Sequence, residues 1–126
     1  MILRLDTITF DCADPKALAA FWAAALGMVV EDEDDEGAFV LDPARASKGL
    51  FFQKVPEPKA VKDRIHLDVR PSGSMAAEVS RLKGLGATED GLVEVENSFW
   101  TIMLDPEGNE FCVLRGPEDG WSGDPA

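Results

Sequence analysis

The spacing of apolar residues changes from two to three or four within the first 26 residues. Over residues 5–12 apolar and polar side chains alternate, which predicts a strand with one buried face. Beyond that strand, apolar side chains recur every three or four positions, which predicts an amphipathic helix. Asp14–Pro15 is a typical helix start and Gly27 is a typical stop, so we expect this helix to occupy residues 15–26.

Three short apolar runs follow the helix, and the same order of elements then recurs in the second half. In the first half the runs predict strands over residues 28–30, 38–41 and 50–53. In the second half the pattern predicts a strand over residues 65–70, a helix over about 73–85, and strands over 92–95, 99–104 and 110–114. A shift of 59 residues pairs equivalent positions of the two halves: Thr7 with His66, Gly27 with Gly86, Gly49 with Gly108, Phe52 with Phe111, and Gln53 with Cys112.

This repeat predicts an α+β fold built from two βαβββ modules. The first module occupies residues 1–55 and the second occupies residues 65–115. Residues 56–64 contain two prolines close together, which disfavour helix, so we expect them to form an extended linker. Residues 116–126 are rich in glycine, proline and acidic side chains, so we expect a loose tail there.

Strand parity separates two faces of the predicted sheet. We expect the helices to cover the apolar face, which carries Ile8, Phe10, Cys12, Leu50, Phe52, Ile65, Leu67, Val69, Phe111 and Val113. The opposite face carries mostly polar candidates for a binding site: Thr7, Gln53, His66, Asp68, Glu110 and Cys112. Such a face is either ordinary solvated surface or the lining of a cup between the halves. Phe51 and Leu114 also lie on this face, and apolar side chains among polar ones favour a cup.

The charge of the chain excludes several classes of partner. The formal net charge is −12 and the pI is near 4.3, a field that repels nucleic acid and anionic membranes. A neutral or cationic small molecule fits this charge better than an anion does. The two cysteines form no CxxC pair, and no apolar stretch reaches the roughly 18 residues of a membrane span. We therefore expect a soluble, cytoplasmic protein.

Four stretches of the chain carry a resemblance to a known family. They are Asp11–Pro15 followed by Phe21–Trp22 and Ala25–Gly27, then Phe52–Lys59, then Lys62–Asp68, and finally Leu104–Phe111. In this order they resemble the glyoxalase-like domains of the vicinal oxygen chelate superfamily, which includes glyoxalase I, extradiol dioxygenases, and fosfomycin- and bleomycin-resistance proteins. The resemblance covers nearly all of residues 3–114. It implies that the two modules form one cupped mixed sheet with the helices on its outer face and a ligand or metal inside.

The resemblance also implies where a metal would bind. Metal-using members take His, Glu, His and Glu ligands, or a subset, from four strand positions, which here hold Thr7, Gln53, His66 and Cys112. Only His66 keeps the expected residue type. We therefore expect no cofactor and no tightly held divalent metal, although Asp68 and Glu110 share the face and could substitute as ligands.

Three functions remain open at this point. The first is a metal-free binder of a small organic molecule, as bleomycin-resistance proteins are. The second is a metal-dependent lyase, isomerase or dioxygenase, and the third is a metal-free enzyme that uses His66 with a carboxylate for acid–base chemistry. Cys112 is less suited to be a nucleophile, because no second histidine exists and acidic surroundings would raise the pKa of its thiol. Because sheets of this superfamily often pair between chains, we also expect a homodimer.

Overall fold

Within residues 2–123, which the computed structural model describes, each half of the chain forms a four-stranded sheet with one helix. The first half contains β1 (Thr7–Cys12), α1 (Pro15–Leu26), β2 (Val29–Glu33), β3 (Gly37–Leu41) and β4 (Gly49–Lys54). The second half contains β5 (Leu67–Val69), α2 (Met75–Leu85), β6 (Thr88–Val95), β7 (Ser98–Leu104) and β8 (Glu110–Leu114). The predicted α+β class and the two βαβββ modules are therefore confirmed.

Both sheets are mixed and have the same strand order. The orders are β1-β4-β3-β2 and β5-β8-β7-β6, so the first and last strands of each module are neighbours. These neighbours run parallel, and the other pairs run antiparallel. The chain divides into two compact units at this repeat, the first ending at Ala60 and the second beginning at Val61.

Local capping residues fix the start of both helices in the structure. The Asp14 side chain accepts a hydrogen bond from the Ala17 N–H at 3.2 Å, and Gly27 ends α1 in the left-handed conformation at a φ of 67°. Ser74 caps α2 through the N–H of Ala77, also at 3.2 Å. The helix predicted over residues 15–26 is confirmed, and the second helix begins two residues later than expected. None of the helices within residues 2–123 is long and apolar enough to cross a membrane.

Each helix covers the apolar face of its own sheet. In the first unit the Phe10 ring lies 5.7 Å from Trp22 of α1 and 5.1 Å from Phe52 of β4, measured between ring centres. In the second unit Phe111 and Val113 of β8 are almost completely buried, together with Leu82 of α2. The predicted division of each sheet into a helix face and an opposite face therefore holds for these strands. We call the opposite face, which points away from the unit's own helix, the far face.

The strand predicted over residues 65–70 is shorter in the structure, because β5 spans only Leu67–Val69. Ile65, which was expected on the helix face, lies outside the strand with 82% of its surface exposed, so that expectation is wrong. The Glu110 carboxylate accepts a hydrogen bond from the Asp63 N–H at 3.2 Å. This contact holds the segment before His66 as a bend, and regular pairing with β8 begins only at Leu67.

Part of the tail that was expected to be loose, residues 116–126, is fixed against the second unit. Asp119 belongs to a short 3-10 helix, and its carboxylate accepts a hydrogen bond from the Met75 N–H at 2.7 Å. The central guanidinium carbon of Arg70 lies 4.1 Å from the centre of a Trp121 ring. The expectation of a loose tail is therefore wrong as far as Trp121, and its last three residues lie outside the described residues.

Candidate functional site

Three of the predicted site residues meet on the far face of the second sheet. Asp68 of β5 and Cys112 of β8 are direct Cα partners in the parallel ladder, so their side chains are neighbours on one face. His66 lies two residues before Asp68, immediately ahead of the strand, and its ring turns to the same side. We call these three residues the polar triad.

Asp68 is the acceptor at the centre of the polar triad. Its Oδ1 lies 3.1 Å from Nδ1 of His66, a hydrogen-bond distance at which the imidazole N–H donates to the carboxylate. Sγ of Cys112 lies 4.0 Å from the same His66 nitrogen. The side-chain atoms that could bind a metal or a ligand all lie within 4.8 Å of one another. Because Nδ1 faces Asp68, the Nε2 atom of His66 is the imidazole nitrogen that this carboxylate does not engage.

Burial separates the thiol from the other two groups of the triad. Cys112 is only 7% exposed, whereas 39% of the His66 side chain and 51% of the Asp68 side chain are exposed. Burial raises the pKa of the Cys112 thiol, and the charge of Asp68 and its hydrogen bond with the thiol raise it further, against a smaller opposing effect of Lys62. The expected rise of this pKa is confirmed, although burial is a larger cause than the acidic surroundings. The thiol therefore acts as a neutral donor at physiological pH, and this environment does not activate it as a nucleophile.

Glu110 does not belong to the triad. Its carboxylate instead contacts the backbone N–H of Asp63, as described above, and so supports the bend that leads to His66. The prediction that Glu110 contacts a ligand directly stays a prediction. Its observed contact gives it a supporting role, because it holds the backbone just before the imidazole.

Apolar side chains flank the triad on the far face. Ile102 is the Cα partner of Cys112, and Trp100 is the Cα partner of Leu114 on the same two strands. All three apolar side chains are half-buried. The residue pattern around Trp100 does not by itself decide on which face of the sheet its side chain lies. The turn between β7 and β8 decides the face of Trp100. The first strand pair next to this turn is Leu104 with Glu110, and Trp100 lies four residues before Leu104, so both side chains lie on the far face.

The ladder register corrects the 59-residue correspondence between Thr7 and His66. In the second unit the partner of Cys112 is Asp68, two residues after His66, whereas in the first unit the partner of Gln53 is Asp11, four residues after Thr7. Thr9 is therefore the residue of β1 that corresponds to His66. Thr7 lies about 13 Å along the strand from the level of Gln53.

The far face of the first unit carries a pair of aromatic rings next to Gln53, the residue that corresponds to Cys112. The ring centres of Phe39 and Phe51 lie 6.3 Å apart. Two glycines make room for these rings, because a Cβ at Gly37 would lie 2.8 Å from the Phe51 ring and one at Gly49 would lie 3.0 Å from the Phe39 ring. Gln53 is exposed beside this pair. The part of Thr7 and Gln53 in ligand binding stays a prediction.

The family model of the glyoxalase-like domain matches residues 7–114. The chain belongs to this glyoxalase-like family, within the vicinal oxygen chelate superfamily. No curated protein matches the chain. Among solved structures, a glyoxalase-related enzyme from Fulvimarina pelagi is 16% identical with a TM-score of 0.72, covering 92% of this chain and 90% of its own.

Two further solved structures show the range of proteins that share this fold. A mutant of the fosfomycin resistance protein FosX from Listeria monocytogenes, solved with Mn(II) and 1S,2S-dihydroxypropylphosphonic acid, is 16% identical with a TM-score of 0.74, covering 92% of each chain. A glyoxalase/bleomycin resistance protein/dioxygenase family enzyme from Burkholderia phytofirmans is 18% identical with a TM-score of 0.62, covering 87% of this chain and 98% of its own. At such identities the likeness shows the fold alone.

The donor set of this chain does not fit a manganese centre of the kind held by the FosX protein. Mn(II) favours carboxylate, carbonyl and imidazole ligands, and a buried thiol whose pKa is raised is a poor ligand for it. The far face offers His66, Asp68 and Cys112 together, of which Asp68 already accepts hydrogen bonds from its two neighbours. Of the four ligand positions that the resemblance implies, only the one held by His66 keeps its residue type.

Proposed function

We propose that this protein binds a small neutral or cationic organic molecule against the polar triad, without a tightly held metal. The observation that carries the proposal is the position of Asp68, which orients the His66 imidazole at 3.1 Å on a face that also carries apolar side chains. A few oriented polar groups among apolar walls are typical of small-molecule sites. In this arrangement Nε2 of His66 contacts the ligand, and Trp100 and Ile102 contact its apolar part.

The charge of the site supports the choice of ligand class. Asp68 carries the full charge nearest to the imidazole, and the whole chain has a formal net charge of −12. Both repel an anion, and the local carboxylate attracts a cation. Lys62 acts on Cys112 in the opposite direction, and its effect is the smallest of the four causes of the pKa shift of the thiol.

The test is a thermal-shift screen of neutral and cationic compounds, followed by titration of each hit against wild type and three variants. Changing His66→Ala removes a hydrogen-bonding partner, which weakens binding by about 1–3 kcal/mol, or roughly 5- to 150-fold. Asp68→Asn weakens binding in the same direction, because it removes the charge that orients the imidazole. Asp90→Asn is the matched control, because Asp90 is also an exposed strand aspartate of the second unit but lies on β6, away from the triad.

Two results would contradict the proposal. One is equal affinity of wild type and His66→Ala for every hit. The other is equal weakening by Asp68→Asn and Asp90→Asn, which would assign the effect to net charge instead of to the triad. Circular dichroism of each variant checks that the fold is kept, which we expect because none of the three side chains packs in the core.

A metal-free enzyme is the second candidate, and the His66–Asp68 contact favours it. A carboxylate that holds Nδ1–H fixes the imidazole tautomer, so that Nε2 can accept a proton from a bound substrate and return it. If a hit from the screen is chemically changed by wild type and left unchanged by His66→Ala, this second function replaces simple binding. Unchanged recovery of every hit after long incubation with wild type excludes it for those compounds.

We also propose that the protein forms a homodimer and works in the cytosol. Support for the dimer comes from the exposed edge strand β2, whose five residues are all exposed and include Val29 and Val30. Neither cysteine forms a disulfide within residues 2–123, which is compatible with a reducing compartment. Light scattering across micromolar concentrations tests the assembly, and a monomer at all of them would overturn it.

A further inference from the structure

A groove of about 320 Å³ lies between α2 and β6 in the second unit. Its walls come from α2 on one side and from β6 and β7 on the other. Thr101 forms part of the floor, and the next residue along the strand, Ile102, pairs with Cys112. Because neighbouring strand residues point to opposite faces, the groove lies on the helix face, away from the polar triad.

Apolar atoms make up the larger part of the groove's lining, which comes from Met75, Ala76, Val79, Ser80, Lys83, Glu89, Leu92 and Thr101. Val79 is 8% exposed, and the Thr101 hydroxyl donates a hydrogen bond to Sδ of Met75 at 3.4 Å, so that its polar atom has a partner. Leu92 is 54% exposed, although it pairs with Thr101, which is only 3% exposed on the same face. The helix α2 therefore covers β7 at Thr101 but leaves the same face of β6 exposed at Leu92.

The helix of the first unit carries aromatic side chains that the helix of the second unit lacks. There α1 contributes two aromatic side chains to the layer on the sheet, Phe21 and Trp22, with ring centres 5.3 Å apart and both residues buried. The sequence of α2, MAAEVSRLKGL, contains no aromatic residue. The groove is also about twice the size of an apolar cavity of roughly 150 Å³ that accepts a benzene ring. An aromatic ring therefore fits both its size and its lining.

Opposite charges lie at one end of the groove. Nζ of Lys83 lies 3.1 Å from Oε1 of Glu89, and both side chains are about half exposed. An exposed ion pair of this kind stabilises the fold by only about 0–1 kcal/mol, so it opens easily. A head group that carries both charges complements it fully, because its carboxylate pairs with the lysine and its ammonium pairs with the glutamate.

We propose that this groove is a second ligand site, and that it binds a small aromatic zwitterion of the aromatic α-amino acid type. The ring lies against Val79 and Leu92, and the head group lies on the Lys83–Glu89 pair. The Met75 thioether borders the ring, a contact that sulfur and aromatic groups favour. This site does not depend on the function proposed for the polar triad.

The experiment titrates tryptophan into the full-length protein, with binding followed by methyl NMR shifts. Wild type is expected to show saturable shifts at Val79 and Leu92. Ala76→Phe puts a ring into the groove and is expected to weaken binding at least tenfold. Ala77→Phe is the matched control, because Ala77 is exposed one position along α2 and does not line the groove, so it is expected to bind as wild type does.

The head group is tested separately from the ring. Indole, which lacks the zwitterionic head, is expected to bind at least tenfold more weakly than tryptophan, and Lys83→Met and Glu89→Gln are each expected to lose part of that difference. His66→Ala is expected to leave the affinity unchanged, which separates this site from the polar triad.

Three results would overturn the proposal. The first is the absence of saturable shifts in wild type, and the second is equal affinity of Ala76→Phe and Ala77→Phe. The third is equal affinity for indole and tryptophan, which would remove the zwitterion. In the first case light scattering identifies the alternative. If Ala76→Phe also changes the molecular mass, the groove is a contact between copies of the chain.

Discussion

Changing Asp119→Ala is expected to destabilise the second unit, because the Asp119 side chain accepts a hydrogen bond from the start of α2. Asp119 Oδ2 accepts hydrogen bonds from the Met75 N–H at 2.7 Å and from the Gly116 N–H at 2.9 Å. Met75 is the first residue of α2, so Asp119 satisfies one of the N–H groups that a helix start leaves without a partner. Removing a capping side chain costs about 0.5–2 kcal/mol, and because Asp119 is partly exposed we expect about 1 kcal/mol.

The pH dependence of this loss follows from the pKa of Asp119. The hydrogen bond from Gly116, and then that from Met75, lower the pKa of this carboxyl below its ordinary value of 3.8. A group whose pKa is lower in the folded state stabilises that state above its unfolded pKa. The contribution of Asp119 is therefore fully present at pH 7 and is lost as the pH falls below about 4 through the folded pKa.

Urea unfolding of wild type, Asp119→Ala and Ser74→Ala at pH 7 and pH 3 measures both effects. Ser74→Ala is the matched control, because Ser74 caps the same helix through a neutral hydroxyl. We expect both variants to lose about 1 kcal/mol at pH 7. At pH 3 the loss shrinks for Asp119→Ala and stays the same for Ser74→Ala. An Asp119→Ala protein as stable as wild type at pH 7, or an equal loss at both pH values, would refute this reasoning.

Three other predictions concern the core, the thiol and the metal. Phe52→Ala is expected to cost about 3–5 kcal/mol in urea unfolding, because Phe52 is fully buried against Phe10, and a loss below about 1 kcal/mol would contradict this. Asp68→Asn in a Cys12→Ala background is expected to lower the pKa of Cys112, seen as thiolate ultraviolet absorbance appearing at lower pH, and an unchanged titration would remove Asp68 as a cause. Protein prepared without added metal is expected to contain no stoichiometric zinc, iron, manganese or nickel by elemental analysis, and about one ion per chain, lost in His66→Ala, would prove this wrong.

The parts of the fold that depend on local signals could be predicted from the sequence. The bounds of α1 follow from Asp14–Pro15 and Gly27, which lie next to the helix that they limit. The alternation of apolar residues also assigned Phe52 and Phe111 to the helix faces correctly. Periodicity and capping involve only a few residues along the chain, so these assignments do not require knowledge of the partner strands.

The parts that failed depend on partners distant in the sequence. β5 begins only at Leu67, and before it the Asp63 N–H donates a hydrogen bond to the Glu110 side chain, a contact between residues 47 positions apart. The tail is fixed because Asp119 reaches Met75, which lies 44 positions away. Glycine, proline and acidic residues are frequent in loose tails and also in capping turns, and no local pattern distinguishes the two.

The sequence predicts which face of the sheet carries the candidate site, but it does not predict the position of every site residue along its strand. Strand parity correctly placed His66, Asp68 and Cys112 on one face. A constant shift between the halves also implied that Thr7 corresponds to His66, and the ladder register replaces it with Thr9. A change of two residues keeps the parity, so the face was right while the position along the strand was wrong by about 6–7 Å.

The corrected register gives a physical reason to expect binding without a metal. In both units an aspartate lies opposite a strand position at which the family resemblance implies a carboxylate ligand in metal-using members: Asp11 pairs with Gln53, and Asp68 pairs with Cys112. A glutamate at those positions would put two carboxylates side by side, an arrangement that a divalent cation stabilises. An amide or a thiol there can donate a hydrogen bond to the aspartate, so the negative charge is satisfied by a neutral neighbour. A glutamine or cysteine at this position thus lacks a carboxylate ligand and also avoids the repulsion that a metal would relieve, which supports the proposal that the His66 imidazole contacts a bound molecule.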